Sequence, residues 1–281
     1  MKLEERQQNN INSNWIEKTQ LPKGTILDIC NGLGPIVGQY PRRVPGKIEL
    51  EGLEWEFPDL HSFYHQCHQI FLQPTYKLEN GVQIKKIFDG GAHSGLASLM
   101  WSHLYPGVEI DAFEADQEIF DHLQNNIQRW GLKNVETNNQ AVWSHNQGMS
   151  FTKTNDDSGF ISKPQENEVS VSTRRLRDLI VENKYDLVKL DIEGAEFEVI
   201  EDCSEVLEAV PYWIVEIHHF PYLSTSSNAF SLVQKFKDLG FEIGLSDFHN
   251  ATWIEDEQKV PFSGLPSKHY VVTLYAWKSK V

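Results

Sequence analysis

From Gln83 to the end of the chain, short apolar runs alternate with longer stretches in which apolar residues recur every three or four positions. That is the rhythm of strand and helix in a mostly parallel α/β sheet. Ile84 to Asp89 reads as a first strand, and Leu96, Leu99, Met100 and Leu104 form the apolar face of the next helix, which Tyr105-Pro106-Gly107 stops. Val108 to Glu114 is a second strand, followed by Ile119, Phe120, Leu123, Ile127 and Trp130 at helical spacing before Gly131. Asn134 to Thr137 gives a short third strand. A polar excursion through Asn155-Asp156-Asp157-Ser158-Gly159 precedes a fourth strand, Tyr185 to Asp191, and a fifth, Tyr212 to Ile217. A helix around Phe230 to Leu239, a strand around Phe241 to Leu245 and an aromatic-rich last strand, Tyr270 to Trp277, complete the pattern. This order predicts a twisted open sheet with helices on both faces.

The front of the chain is different. Met1 to about Pro45 is rich in Asn, Gln, Gly and Pro, which favours loops or a loosely packed arm. A strand-like run, Lys47 to Leu50, follows, and then a helix opened by Pro58-Asp59 with Phe63, Cys67, Ile70 and Phe71 on one face. Residues 1–81 are therefore read as an N-terminal extension or cap, and residues 82–281 as the main domain.

Composition narrows the function. With 25 Lys and Arg against 40 Asp and Glu the net charge is −15, which repels phosphate backbones and anionic membranes and disfavours a nucleic-acid substrate. Cys30, Cys67 and Cys203 are odd in number and widely spaced, with no CxxC pair or metal-ligand rhythm, so they read as free thiols in a reducing compartment. The amide-rich start, Met1 to Gln20, has no secretory signal and no run is long enough to span a bilayer, so cytoplasmic residence is the expectation.

Ligands of open α/β sheets bind beyond the carboxyl ends of the strands. After the first strand stands Asp89-Gly90-Gly91-Ala92-His93-Ser94-Gly95, where glycines permit tight turning and the helix that follows presents free N–H groups to an anion. A dinucleotide fingerprint would need Gly at three places, and the nearest register has Ala92 in the middle one, where a pyrophosphate must approach. Glu114, ending the second strand in Phe113-Glu114-Ala115-Asp116, is placed to accept both hydroxyls of a ribose, while Asp116 suits a helix N-cap. Asn139, just after the third strand, is either a hydrogen-bond partner for an adenine edge or an ordinary turn amide. The densest signal is Lys189-Leu190-Asp191-Ile192-Glu193-Gly194-Ala195-Glu196, three carboxylates around a Gly-Ala pair at a strand end, a costly concentration unless used. The fifth strand delivers Glu216-Ile217-His218-His219 alongside, and alternation puts Glu216 and His218 on one face.

These residues resemble the FkbM methyltransferase family. The Lys189 to Glu196 stretch is similar to its hallmark, Asp89 to Gly95 to its glycine-rich first motif, Phe113-Glu114-Ala115 to its ribose-binding acid, and Glu216-Ile217-His218 to its segment after strand five. Phe57-Pro58-Asp59-Leu60-His61-Ser62-Phe63 and Thr75-Tyr76 resemble the flank that family often carries. Two departures stand out: His93 where the family usually has Asn, and Arg175-Leu176-Arg177-Asp178 in place of a more acidic pattern. The resemblance implies a Rossmann-like class I methyltransferase, with a seven-stranded mostly parallel sheet whose last strand is antiparallel. S-adenosylmethionine (SAM) would be the donor, and the hydroxyl of a sugar, glycan or glycosylated metabolite the acceptor. On that reading Asp89, Gly90, Gly91, Ala92, His93, Gly95, Glu114, Ala115, Asn139, Ala141 and Asp191 bind the donor, and His218, Asp191, Glu193 and Glu216 act on the acceptor.

A sulfonium is already an activated methyl donor, so the protein must align the acceptor oxygen, exclude water and take up a proton. His218, oriented by Glu216 or Asp191, is the expected base. A divalent ion on Asp191, Glu193 and His218 is a weaker alternative, because the spacing matches no established ligand motif, and no metal is assigned. A nicotinamide-dependent oxidoreductase and a catalytically silent SAM-binding scaffold are the rival functions. Homo-oligomerisation stays open.

Overall fold

A computed structural model describes residues 21, 23–79, 81–152, 168–219, 229–250 and 269–279. The N-terminal part comprises α1 (Ile26–Leu33), the hairpin β1 (Gly46–Leu50) and β2 (Leu53–Phe57), and α2 (Leu60–Cys67), which runs into a single π-helical turn at His68–Leu72. The main domain follows with β3 (Lys86–Gly90), α3 (Leu96–Leu104), β4 (Glu109–Phe113), α4 (Gln117–Arg129) and β5 (Val135–Asn138). After β6 (Ala141–Trp143), β7 (Met149–Thr152), β8 (Glu168–Val171) and β9 (Thr173–Arg175) come α5 (Leu176–Glu182), β10 (Leu187–Leu190), α6 (Glu196–Asp202) and β11 (Tyr212–His219). The chain closes with α7 (Ala229–Asp238), β12 (Glu242–Leu245), β13 (His249–Asn250) and β14 (Tyr270–Trp277).

The main sheet has the order β12-β14-β11-β10-β3-β4-β5, seven strands with the two-residue β13 added beside β14. Pairings from β11 to β5 are parallel and those of β14 are antiparallel. This is the predicted Rossmann-like α/β sheet. Its central strand β10 is buried at all four positions, as a continuous apolar run requires between two helical layers.

Three local expectations are corrected. Residues 26–33, expected as loop, form α1, because Thr25 and Asp28 make a reciprocal capping box and Ile29, Cys30 and Leu33 share one buried face. A second strand, β2, completes a hairpin where only one strand was read. Two further small sheets, β6 with β9 and β7 with β8, interrupt the βαβ rhythm. The excursion at 155–159 and the segment 1–20 lie outside the described residues. All three cysteines are free and buried, and no helix among the described residues is long and apolar enough to cross a membrane.

The extension has no core of its own. Ile29, Leu50, Trp55, Phe63 and Ile70 belong to one buried cluster with Ile87, Leu99, Trp101 and Ile214 of the sheet and its helices. The seam is bolted by Asn126 of α4, which is fully buried: it accepts from the Glu56 N–H (2.8 Å) and donates to the carbonyls of Glu56 (2.8 Å) and Ser94 (3.0 Å). One side chain thus joins the hairpin, the glycine loop and α4. Asn126→Ala strands these groups away from water, and we expect a loss of about 3 kcal/mol of unfolding free energy by urea denaturation.

Candidate active site

Parallel register lines up the strand ends. Gly90 lies opposite both Leu190 and Phe113, and Leu190 opposite Val215, so the loops after β3, β4 and β10 and the end of β11 open on one rim. Beyond Val215 the strand β11 continues for four residues past its parallel neighbour. It is held there by β14, with Glu216 paired to Thr273 and His218 to Val271. The antiparallel last strand therefore carries Glu216 and His218 out over the rim.

The first loop is tight. Gly91 has φ +74°, and a Cβ there would stand 1.8 Å from the carbonyl oxygen of Asp191. Gly95, at φ +94°, is the N-cap of α3, and no side chain caps that helix, so its first-turn N–H groups face the loop. The Ser94 hydroxyl and both ring nitrogens of His93 are buried without a hydrogen-bond partner among the described residues. Burial lowers the His93 pKa to about 4, leaving a neutral imidazole at the loop. Across from it, the Glu114 carboxylate accepts from the N–H groups of His93 (3.0 Å) and Asp116 (2.9 Å), yet burial pushes its pKa up to about 7. Asp116 caps α4 as expected. Asn139 donates its amide to the carbonyls of Glu114 (3.1 Å) and Ala115 (3.4 Å), so only its side-chain oxygen remains for the expected adenine contact. Ala141 is fixed in β6, where its N–H bonds Ser172, and Ala115 packs against it.

Lys189 ties the centre together. It is 2% exposed, and its ammonium donates to the carbonyls of Gly90 (3.1 Å) and Gly91 (2.6 Å) while lying 3.4 Å from Asp89 and 3.6 Å from Asp191. Burial opposes its charge, but Asp191, Asp89 and Glu216 hold its pKa above the ordinary lysine value. Asp89 also takes the Ser98 hydroxyl at 2.9 Å.

Beside Lys189 the rim carries a cluster of carboxylates around one imidazole. His218 Nδ1 stands 3.2 Å from Glu196 Oε1, and its Nε2 lies 3.5 Å from Glu193 and 3.9 Å from Asp191. Glu196 is fully buried and fixed by the N–H groups of Ile192 and Gly194. Glu193 sits at φ 54°, a left-handed turn that Gly194 continues at φ 101°. Burial alone would lower the pKa of His218, but Glu193, Glu196 and Asp191 raise it well above its usual value. Burial, with Asp191 and Glu196 nearby, pushes Glu193 up to about 8, although His218 opposes this. Glu216 is pushed up to about 7 by burial and Asp191.

The structure brings Asp89 to Gly95, Glu114, Asp191, Glu193, Glu216 and His218 to one rim. The expected orienting partner of His218 is replaced: Glu196, rather than Glu216 or Asp191, holds its Nδ1. Glu216 is instead engaged by two residues of the extension, Gln69 (2.7 Å) and Tyr76 (3.2 Å), and the Tyr76 hydroxyl also lies 3.4 Å from Asp191. Sequence reasoning gave Gln69 no role and noted Tyr76 only as part of a flank resembling the family's, because nothing local marks either as a polar group of a distant site. Lys189 left a signal, a lysine inside the apolar run Leu187-Val188-Lys189-Leu190. The unusual Arg175 and Arg177 ion-pair with Asp202 and Glu205, so this departure serves packing of α5 rather than the rim.

The profile of the methyltransferase FkbM domain matches residues 89–243. The chain belongs to this family of SAM-dependent methyltransferases. Among solved structures it is similar to the methyltransferase FkbM from Methylobacillus flagellatus KT, with 14% identity, a TM-score of 0.45, and 78% of this chain and 53% of that one covered. A SAM-dependent methyltransferase from Agrobacterium tumefaciens matches at 13% identity and TM-score 0.46, covering 84% and 70%. Precorrin-6y C5,15-methyltransferase from Geobacter metallireducens GS-15 matches at 15% and 0.41, covering 71% and 83%. No curated protein sequence matches the chain closely enough to assign a relative.

Gly91→Ala forces a backbone clash that only loop movement relieves. We expect it to abolish SAM binding in calorimetry and to lower the thermal midpoint. Gly107→Ala, at φ +82° in open space, costs about 1 kcal/mol and leaves SAM binding intact.

Proposed function

We propose that this protein transfers the methyl group of SAM to a hydroxyl oxygen of a sugar, glycan or glycosylated metabolite. The observation that carries the reading is the carboxylate–imidazole cluster of Asp191, Glu193, Glu196 and His218 set on the same rim as the glycine loop. Family membership favours methyl transfer over the nicotinamide-dependent alternative.

The residues fit the donor. The unpartnered Ser94 hydroxyl, the neutral His93 ring and the uncapped N-terminus of α3 offer hydrogen bonds and a positive dipole end to the methionyl carboxylate, over the close approach that Gly91 and Gly95 permit. Asp89 and Gly90 are held in that loop by Lys189, and Ala92 by its N–H bond to the Phe113 carbonyl. Glu114 accepts the ribose hydroxyls, and Ala115, Asn139 and Ala141 wall the adenine side. SAM supplies a methyl group already activated on sulfur.

What remains for the chain is alignment and proton uptake. Asp191, fixed through one oxygen by Tyr76 and Lys189, orients the acceptor hydroxyl in line with the donor. Glu193 and Glu216 take the proton beside a His218 ring that the surrounding carboxylates keep protonated, so the cluster acts as a unit rather than as a lone imidazole.

Labelled methyl transfer from SAM into extracts of the source cell, with identification of the product, tests the acceptor class. Label only in protein or nucleic acid overturns it, and SAM binding with no turnover across a glycan panel leaves the silent scaffold. His218→Ala is expected to lower kcat by roughly a hundredfold or more while the Kd for SAM stays within threefold; turnover within a few-fold of wild type removes His218 from the proton path.

The Glu114 carboxyl also sets a pH dependence. Above pH 8 it is ionised and accepts the ribose hydroxyls as an anion; below about 7 it is protonated, and each lost pH unit weakens SAM binding by up to about tenfold. Glu114→Gln should bind SAM about tenfold more weakly at pH 8 and flatten the profile between pH 6 and 8.

A further inference from the structure

We propose that Asp191, Glu193 and His218 form a binding site for a divalent first-row transition ion. The inference adds to the methyl-transfer reading a bound cation at the acceptor end of that site. One oxygen or nitrogen from each of the three side chains lies within 4.8 Å of the others, and His218 Nε2 is 3.5 Å from Glu193 and 3.9 Å from Asp191. Donors about 2.1 Å from one ion stand about 3.0–4.2 Å apart, so the group needs little movement to close on a cation.

The surroundings are those of a ligand set rather than of an acidic surface patch. Histidine ligands of metals characteristically give their other ring N–H to a carboxylate, which fixes the tautomer and turns the lone pair toward the ion. Here the fully buried Glu196 takes that place at His218 Nδ1, and it is itself held by the N–H groups of Ile192 and Gly194. Asp191 is divided in the same way: its Oδ2 faces Tyr76 and Lys189, and its Oδ1 faces His218. The orienting carboxylate of Glu196 and both flanking donors, Tyr76 and Lys189, lie outside the proposed ligand triangle. His218 is 6% exposed, whereas the side chains of Asp191 and Glu193 are 25% and 30% exposed, so the triangle opens toward solvent and leaves coordination positions for water or an acceptor oxygen. One imidazole and two carboxylates suit Mn²⁺, Fe²⁺, Co²⁺ or Zn²⁺ better than an all-oxygen ion such as Ca²⁺.

The test uses the full chain after chelator treatment, titrated with Mn²⁺ and followed by electron paramagnetic resonance. We expect one equivalent of Mn²⁺ to lose its free-ion signal and its spin-echo modulation to carry an imidazole nitrogen. Glu193→Gln, on a partly exposed side chain, and His218→Ala are each expected to weaken binding by more than about tenfold, with the thermal midpoint of Glu193→Gln reporting that it folds. No nitrogen modulation, or variants that bind Mn²⁺ like the wild type, overturns the site. Calorimetry with SAM and methyl-transfer assays run with and without Mn²⁺ keep the two claims apart. Transfer unchanged by chelator and no bound Mn²⁺ overturns the ion and leaves the methyltransferase reading, while bound Mn²⁺ with no transfer to any hydroxyl does the reverse.

Discussion

The ammonium of Lys189 is the fixed point of the rim. A lysine buried in the middle of a central parallel strand is costly unless every proton it carries has a partner. Its partners here are the carbonyls of Gly90 and Gly91 and the carboxylates of Asp89 and Asp191. Those groups belong to two different strand ends, so one charge sets the spacing of the glycine loop and the acidic loop. With the carbonyl of Asp191 pressed against Gly91, neither loop can move alone. Local precision at the rim thus comes from an electrostatic clamp seated inside the sheet.

Around that clamp the protein gathers more negative charge than it neutralises. Asp89, Asp191, Glu193, Glu196 and Glu216 face Lys189 and His218, and burial, with Asp191 adding to it, raises the pKa values of Glu193 and Glu216. Burial makes each uncompensated carboxylate expensive, so the site is poised to take up positive charge. A sulfonium with its ammonium group, a proton or a metal ion each answers that demand. The proposed cation site and the proposed proton uptake both draw on this imbalance.

The N-terminal extension is part of this arrangement rather than an appendage. Its hairpin and helices share a core with the sheet, and Asn126 locks the hairpin to the glycine loop. From that base Gln69 and Tyr76 reach Glu216 and Asp191. The π-helical turn at His68–Leu72 carries Gln69, so an irregularity in the helix supplies a polar group to the site. Asp191 and Glu216 at the ends of the two strands are therefore set in part by a segment more than a hundred residues earlier.

Much of this was legible along the chain. Apolar periodicity marked β3, β4, β5, β10, β11 and β14 with the helices α3, α4 and α7, but not the short helices α5 and α6. Position at strand ends marked the loop after Asp89, Glu114, and the acids from Asp191 onward. The capping box that starts α1 was present in Thr25 and Asp28 but hidden in a segment whose composition favours loops. Other features depend on contacts between distant parts of the chain. That Glu196 and not Glu216 holds His218, that Tyr76 and Gln69 enter from the extension, and that β14 extends β11 past its neighbour are facts of register and packing. Sequence determined which residue types stand at the carboxyl ends of the strands, since periodicity and turn chemistry are local; only tertiary structure decided which of them touch, since partners from 22 to 147 residues apart are chosen by the folded core and not by their neighbours in the chain.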